Sequence, residues 1–204
     1  NANRVVNASN GNVGGLCCDI FKAGLGGSGV FKKQWPAFVL AFVLPLLAVF
    51  WWWGGFSPVN VTETEAGPYR YAYLDYDGPI SNVRKSHRTA LDRFTASKVA
   101  AGDTISVILT DPRAANGKVR AQLGYILADS APIPEGLKEG RIERRPVYAA
   151  QVQAAVLLAP SKAYQALSDT LASRGLAIVM PTVELYRPAG QANRIGIFTL
   201  EMNR

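Results

Sequence analysis

Residues Tyr69–Phe94, YRYAYLDYDGPISNVRKSHRTALDRF, decide how this chain folds. Over Tyr69–Tyr76 the side chains alternate. Arg70, Ala72, Leu74 and Tyr76 share one face, and Tyr69, Tyr71, Tyr73 and Asp75 share the other, which is the period of a β-strand. Asp77-Gly78-Pro79 punctuates the strand. The period then becomes helical: Val83, His87, Ala90, Leu91 and Phe94 form one stripe, and Arg84, Lys85, Arg88 and Asp92 form another. Ser81 or Asn82 is placed to cap a helix running to about Lys98. Two strands follow, Thr104–Thr110 and Lys118–Leu127, across a turn that contains Pro112, Asn116 and Gly117.

The same order recurs. Arg144–Leu158 is a long opening strand, and a helix is expected from about Ser161 to Arg174 with Ala163, Tyr164, Leu167 and Leu171 inward and Gly175 ending it. Thr182–Pro188 and Arg194–Met202 read as the closing strands, joined by a hairpin at Gly190. The two helix starts lie about eighty positions apart, the mark of an internal duplication. The expected fold class is therefore α+β: tandem β-α-β-β repeats with pseudo-two-fold symmetry, two antiparallel sheet halves, and helices over one side.

Several short motifs ride on this plan: the Tyr-rich first strand followed by Asp-Gly-Pro at 77–79, Leu-Gly-Tyr at 123–125, and Val-Glu-Leu-Tyr-Arg-Pro at 183–188. With the tandem β-α-β-β order they resemble the GyrI-like, or effector-binding, domain superfamily over roughly residues 66–204. The resemblance implies a groove between the two halves, lined with aromatic residues and holding one acidic residue in the penultimate strand, here Glu184. It also implies relatives of several kinds: drug-sensing halves of transcription regulators, stand-alone gyrase-inhibitor-type proteins, small hydrolases and a membrane-anchored autophagy receptor. The DNA-binding helical domain of the regulators has no counterpart in the sequence, which argues against a transcriptional role.

Upstream, Trp35–Trp53 reads WPAFVLAFVLPLLAVFWWW, nineteen residues without a charge. As a helix it would be about 28 Å long, against a hydrocarbon core of about 30 Å. Trp35 at one end and Trp51, Trp52 and Trp53 at the other suit the two interfaces, and Pro45 in the middle should bend the helix toward a neighbour. Four regions follow: a Gly/Asn-rich N-terminal segment (1–34), a single transmembrane helix (35–55), a linker (56–68) and the GyrI-like α+β domain (69–204). Lys22, Lys32 and Lys33 precede the span, whereas Arg70 with Glu63 and Glu65 follow it. That bias places the N-terminus in the cytoplasm and the C-terminal domain in the periplasm, with the protein single-pass in a cell inner membrane. Cys17 and Cys18 have no further Cys or His nearby, so no metal set is expected, and no cofactor is.

Charge excludes little. The formal net charge of +7 is spread along the chain, with Arg141, Arg144 and Arg145 as its densest cluster. No nucleic-acid-binding pattern is present, so nucleic acid is not an expected partner. If Glu184 looks into the groove, Tyr71, Tyr73, Tyr125, Tyr148 and Tyr186 would surround it and suit a flat or cationic ligand. Otherwise Glu184 is an exposed carboxylate paired with Arg187 or Arg194, and the tyrosines are sheet packing. His87 is the only histidine and reads as a packed residue. With no Ser-His-Asp set, HExxH or phosphate loop, the chain reads as more a non-enzyme than an enzyme. The favoured reading is an accessory or structural subunit of a larger membrane protein complex, its partners integral membrane subunits and the lipid bilayer. The alternative is a tethered module that binds a small aromatic or cationic molecule, or a small hydrolase, using the groove.

Overall fold

The computed structural model describes residues 28–111, 115–189 and 195–204, with backbone alone for 28–38. The chain divides after Val49 into two compact units. Helix α1 (Ser28–Trp52) begins seven residues before the expected span and continues through Pro36 and Pro45. Every residue from Val39 to Trp52 is exposed, although nearly all are large and apolar. Among the described residues, no helix is long and apolar enough to cross a membrane; within α1 the described side chains begin only at Val39.

The second unit is one antiparallel sheet with two helices. Strand β1 (Val59–Ala66) is followed by β2 (Tyr69–Pro79), a 3-10 turn (Ile80–Asn82), α2 (Val83–Ala96), β3 (Thr104–Ile108) and β4 (Lys118–Ile126). Then come β5 (Lys138–Ile142), β6 (Arg145–Ala155), α3 (Ala159–Ala172), β7 (Thr182–Pro188) and β8 (Ile195–Asn203). The sheet order is β1-β6-β8-β7-β3-β4-β2-β5. That order mirrors itself about the central β7–β3 pair: β8 answers β4, β6 answers β2, and β1 answers β5.

The duplicated β-α-β-β order is thus present, joined into one continuous eight-stranded sheet rather than two halves. Two elements depart from expectation. Residues 59–66, read as linker, form edge strand β1, and β5 was not anticipated. Each edge strand precedes one repeat but pairs with the other: β1 with β6, and β5 with β2. Their chemistry hides them, because β1 carries Thr62, Glu63, Thr64 and Glu65 and β5 is Lys-Glu-Gly-Arg-Ile, compositions typical of edges guarded against further pairing. The start of α2 also differs: neither Ser81 nor Asn82 caps it with a side chain, and the 3-10 turn leads in instead. The Gly190 hairpin and Pro112 lie outside the described residues.

Directly opposed residues in an antiparallel pair share a face, so the register sorts the side chains. On one face α3 buries Ala163, Leu167 and Leu171 against Ala150, Val152, Phe198, Leu200 and Met202. On the same face α2 buries Phe94 against Ala72 and Leu127. The other face is covered by neither helix; it carries two small apolar clusters, Tyr71, Ile105, Val107 and Val183 in one and Ala66, Val147 and Ala149 in the other. Gly124 marks a close approach between β4 and β2, where a Cβ would overlap the Ala72 carbonyl oxygen.

Candidate functional site

α3 packs on β6, β8 and β1, and α2 on β4 and β2, so the central strands β7 and β3 lie between the helices. Three cross-strand pairs on the helix-bearing face form the floor there. Thr104 opposes Tyr186, Ser106 opposes Glu184, and Ile108 opposes Thr182. Tyr125 of β4 lies beyond Thr104, and Phe198 of β8 lies beyond Tyr186.

One polar side chain descends from each helix. His87 of α2 places Nε2 3.0 Å from Ser106 Oγ. Tyr164 of α3 places its hydroxyl 2.9 Å from Thr182 Oγ1, and it also hydrogen-bonds the Glu184 carboxylate. Each repeat thus pins a floor hydroxyl with a side chain from its own helix. Tyr125 stacks edge-on against His87 and Phe94 at 6.0 and 5.6 Å between ring centres, closing one end of the groove.

Burial sets the protonation states. Glu184 keeps some accessible surface, yet protein surrounds its carboxyl, and loss of water pushes its pKa up to about 7. The Tyr164 hydrogen bond holds it back only in part. Among the described residues no cation pairs with Glu184. Arg187 is bound to Asp103 instead, with Nε at 2.8 Å, which removes one of the two partners the sequence offered. Arg194, the other, lies outside the described residues. Burial drives His87 down to about 4, so the imidazole is neutral near pH 7. Tyr164 is raised by burial and then by the Glu184 charge, so it stays a phenol and a donor.

Ser106 and His87 are within hydrogen-bond distance, but Nδ1 of His87 is buried without a partner among the described residues, so none of these orients the ring as the third member of a triad would. Among the described residues no group of three or more His, Cys, Asp or Glu side chains converges.

The register corrects the expected tyrosine ring. Glu184, Tyr186 and Tyr125 come together on the helix-bearing face. Tyr71 and Tyr73 do not, because β2 aligns them with Ile126 and Gly124 on the opposite face. There the Tyr71 hydroxyl donates to Gln122 Oε1 at 2.6 Å. Tyr148 is on the right face, but two strands away on β6, where it packs in the α3 core beneath the Arg174 guanidinium. Ser106, Thr182 and Tyr164 were missed as site residues; the sequence offers no signal for them until the β3–β7 register is known.

A hollow of about 330 Å³ lies elsewhere, on the opposite face over β1, β6 and β8, lined by Thr62, Thr64, Tyr69, Gln151, Thr199 and Glu201 among others. Glu201 there is 3% exposed and already neutralised. It accepts from the Tyr69 hydroxyl at 2.6 Å and from Arg145 at 3.0 Å. The hollow and the Glu184 carboxyl are different places, and of the two glutamates only Glu184 lacks a cationic partner among the described residues.

No known protein-family model matches the chain, and no curated protein matches it in sequence. Solved structures do. SAV2435, solved bound to tetraphenylphosphonium, is 11% identical; the match covers 71% of this chain and 93% of SAV2435 with a TM-score of 0.51. EcmrR, solved in a complex with DNA, is 9% identical; the match covers 85% of this chain and 68% of EcmrR with a TM-score of 0.55. At such identities the likeness is one of architecture alone. The sheet topology, the two helices on one face and these two likenesses fit the GyrI-like, effector-binding fold.

Proposed function

We propose that this protein is a binding module for lipophilic, flat or bulky cations, held in the groove between α2 and α3 and tethered to a membrane by α1. The observation that carries the reading is Glu184: an enclosed carboxylate on the groove floor with no described cationic partner. An anion in that position has lost much of its water and not regained a counter-charge. A cation with a thin hydration shell gives up little to enter, gains the carboxylate, and meets the rings of Tyr125 and Tyr186. A hydrated ion such as ammonium would give up far more.

SAV2435 shares the fold and was solved with a cation of this class, which favours the binding-module reading over the accessory-subunit reading. The test is thermal unfolding of the full chain in mild detergent with increasing tetraphenylphosphonium. A saturable rise in Tm is expected, about 3 kcal/mol of stabilisation at a hundredfold excess over Kd. A flat Tm would overturn the reading.

The tether belongs to the same proposal. The uncharged run up to Trp52, inside a 25-residue helix of about 38 Å, exposes every side chain from Val39 to Trp52, nearly all of them apolar, a surface that lipid would satisfy. The lysine bias before the span supports a topology with the N-terminus in the cytoplasm and the domain on the periplasmic side of an inner membrane. Reporter fusions at Gly55 and after Arg204 should both read as extracytoplasmic; cytoplasmic activity at both would reverse the topology.

A further inference from the structure

Within the second unit, the segment just after the end of α1 is bound down onto α3 and β6. Lys162 of α3 donates from Nζ to three carbonyl oxygens at once, those of Gly54, Gly55 and Ser57, at 3.1, 2.6 and 2.7 Å. These lie just past the C-terminal end of α1, where carbonyls lack helical partners and favour a cation. The Ala155 N–H donates to the Trp53 carbonyl at 2.9 Å, binding the end of β6 to the same turn. Gly54, at φ +76°, packs so close to Gln153 and Ala154 that a Cβ would crowd their backbone. Phe50 and Phe56 meet edge to face at 5.2 Å between ring centres, folding the chain back on itself before β1.

This region gathers apolar surface. Trp51 and Trp52 are each 69% exposed, and Phe56 is 64% exposed. Immediately after the Ala155 anchor, the turn from β6 into α3 presents Val156 and Leu157, the latter 61% exposed. Tight turns favour Gly, Asn, Asp and Ser, so two large aliphatic residues there are out of place in water. The hydrogen bond from the Ala155 N–H to the Trp53 carbonyl joins the start of this turn to the backbone that follows Trp51 and Trp52.

We propose that Trp51, Trp52, Phe56, Val156 and Leu157 form a single surface that sits in the lipid interface, so that the domain rests against the membrane with the β6–α3 turn inserted. The inference rests on the membrane tether proposed above. Indole rings and aliphatic side chains partition to the headgroup and upper acyl region. Lys162 keeps its ammonium on backbone oxygens beside that surface rather than in water, and burial lowers its pKa accordingly. The occupant is a lipid surface. A second protein on the patch would be seen as protection that needs no lipid.

The experiment uses the full chain, with Cys17 and Cys18 replaced by serine, in nanodiscs of phosphatidylcholine and phosphatidylglycerol. Single cysteines are introduced as Leu157→Cys, Leu46→Cys and Asp129→Cys, each labelled with an environment-sensitive nitrobenzoxadiazole, and nitroxide-bearing lipids serve as quenchers. The label at 157 should emit to the blue and be quenched by nitroxides near the headgroup about twofold or more over the label at 129. If Leu157→Cys fails to fold, Val156→Cys takes its place. Lipid quenching at 46 with an aqueous label at 157 would overturn this proposal and leave the tether standing. Absence of lipid quenching at 46 would overturn the tether and this proposal with it. A blue-shifted label at 157 that lipid nitroxides do not quench would point to a protein partner and overturn the lipid assignment.

Discussion

Replacing Glu184 by Gln keeps the shape of the side chain and removes its ability to ionise, and the structure fixes how both stability and binding should respond to pH. The carboxyl has a pKa of 4.5 in an unfolded chain and about 7 in the folded protein, because burial penalises its charge. Between those values the folded state keeps a proton that the unfolded chain has released. The folded state therefore binds more protons there, and stability falls as pH rises through the window. At about 1.4 kcal/mol per pH unit the loss approaches about 3 kcal/mol, an upper figure given the residual exposure of the side chain. Glu184→Gln should remove that slope, and near pH 8 it should be the more stable of the two proteins. Binding should run the other way. A permanent cation such as tetraphenylphosphonium needs the carboxylate, so the affinity of the parent should climb from pH 5 to pH 8 by as much as about a hundredfold and then level. The variant should bind weakly and without pH dependence. Urea denaturation and calorimetric titration at half-unit steps from pH 5 to pH 9 measure both curves. Parent affinity that is independent of pH, and equal to that of Glu184→Gln, would refute the assignment of Glu184 as the counter-charge.

Three further outcomes follow from the packing. Tyr164→Phe removes the hydroxyl that bonds Thr182 and Glu184; it should cost about 1–2 kcal/mol in urea denaturation and, by withdrawing a donor from the carboxylate, move the Glu184 titration to higher pH as read by carbon-detected NMR. Leu167→Ala opens a hole in the fully buried α3 core and should lower stability by about 2–5 kcal/mol, with the far-ultraviolet circular dichroism of the folded state retained. Arg145→Met leaves the buried Glu201 with only the Tyr69 hydroxyl; about 3–5 kcal/mol should be lost near neutral pH, and much of it should return in acid as Glu201 takes a proton.

The sequence alone carried the α+β class and the repeated strand–helix–strand–strand order, because each rests on local periodicity that water and a core impose residue by residue. The resemblance to a known superfamily pointed to Glu184, and strand alternation put Tyr186 on the same face, but the residues by themselves left open whether that face looks into a groove or into water. It did not carry β1 or β5, whose polar residues give no alternation and which became strands only because a partner strand stood ready to pair with them. Nor could it say which tyrosines meet Glu184. In a strand the side chains change face at every residue, so membership of the site depends on register. Tyr125 was admitted and Tyr71 and Tyr73 excluded by the pairing of β2 with β4 and of β4 with β3. Ser106, Thr182, His87 and Tyr164 are scattered across ninety-odd positions and have no common spacing. Only the β3–β7 pair at the centre of the sheet, and the two helices that leave it uncovered between them, bring these four to one carboxylate and leave it without a described counter-charge.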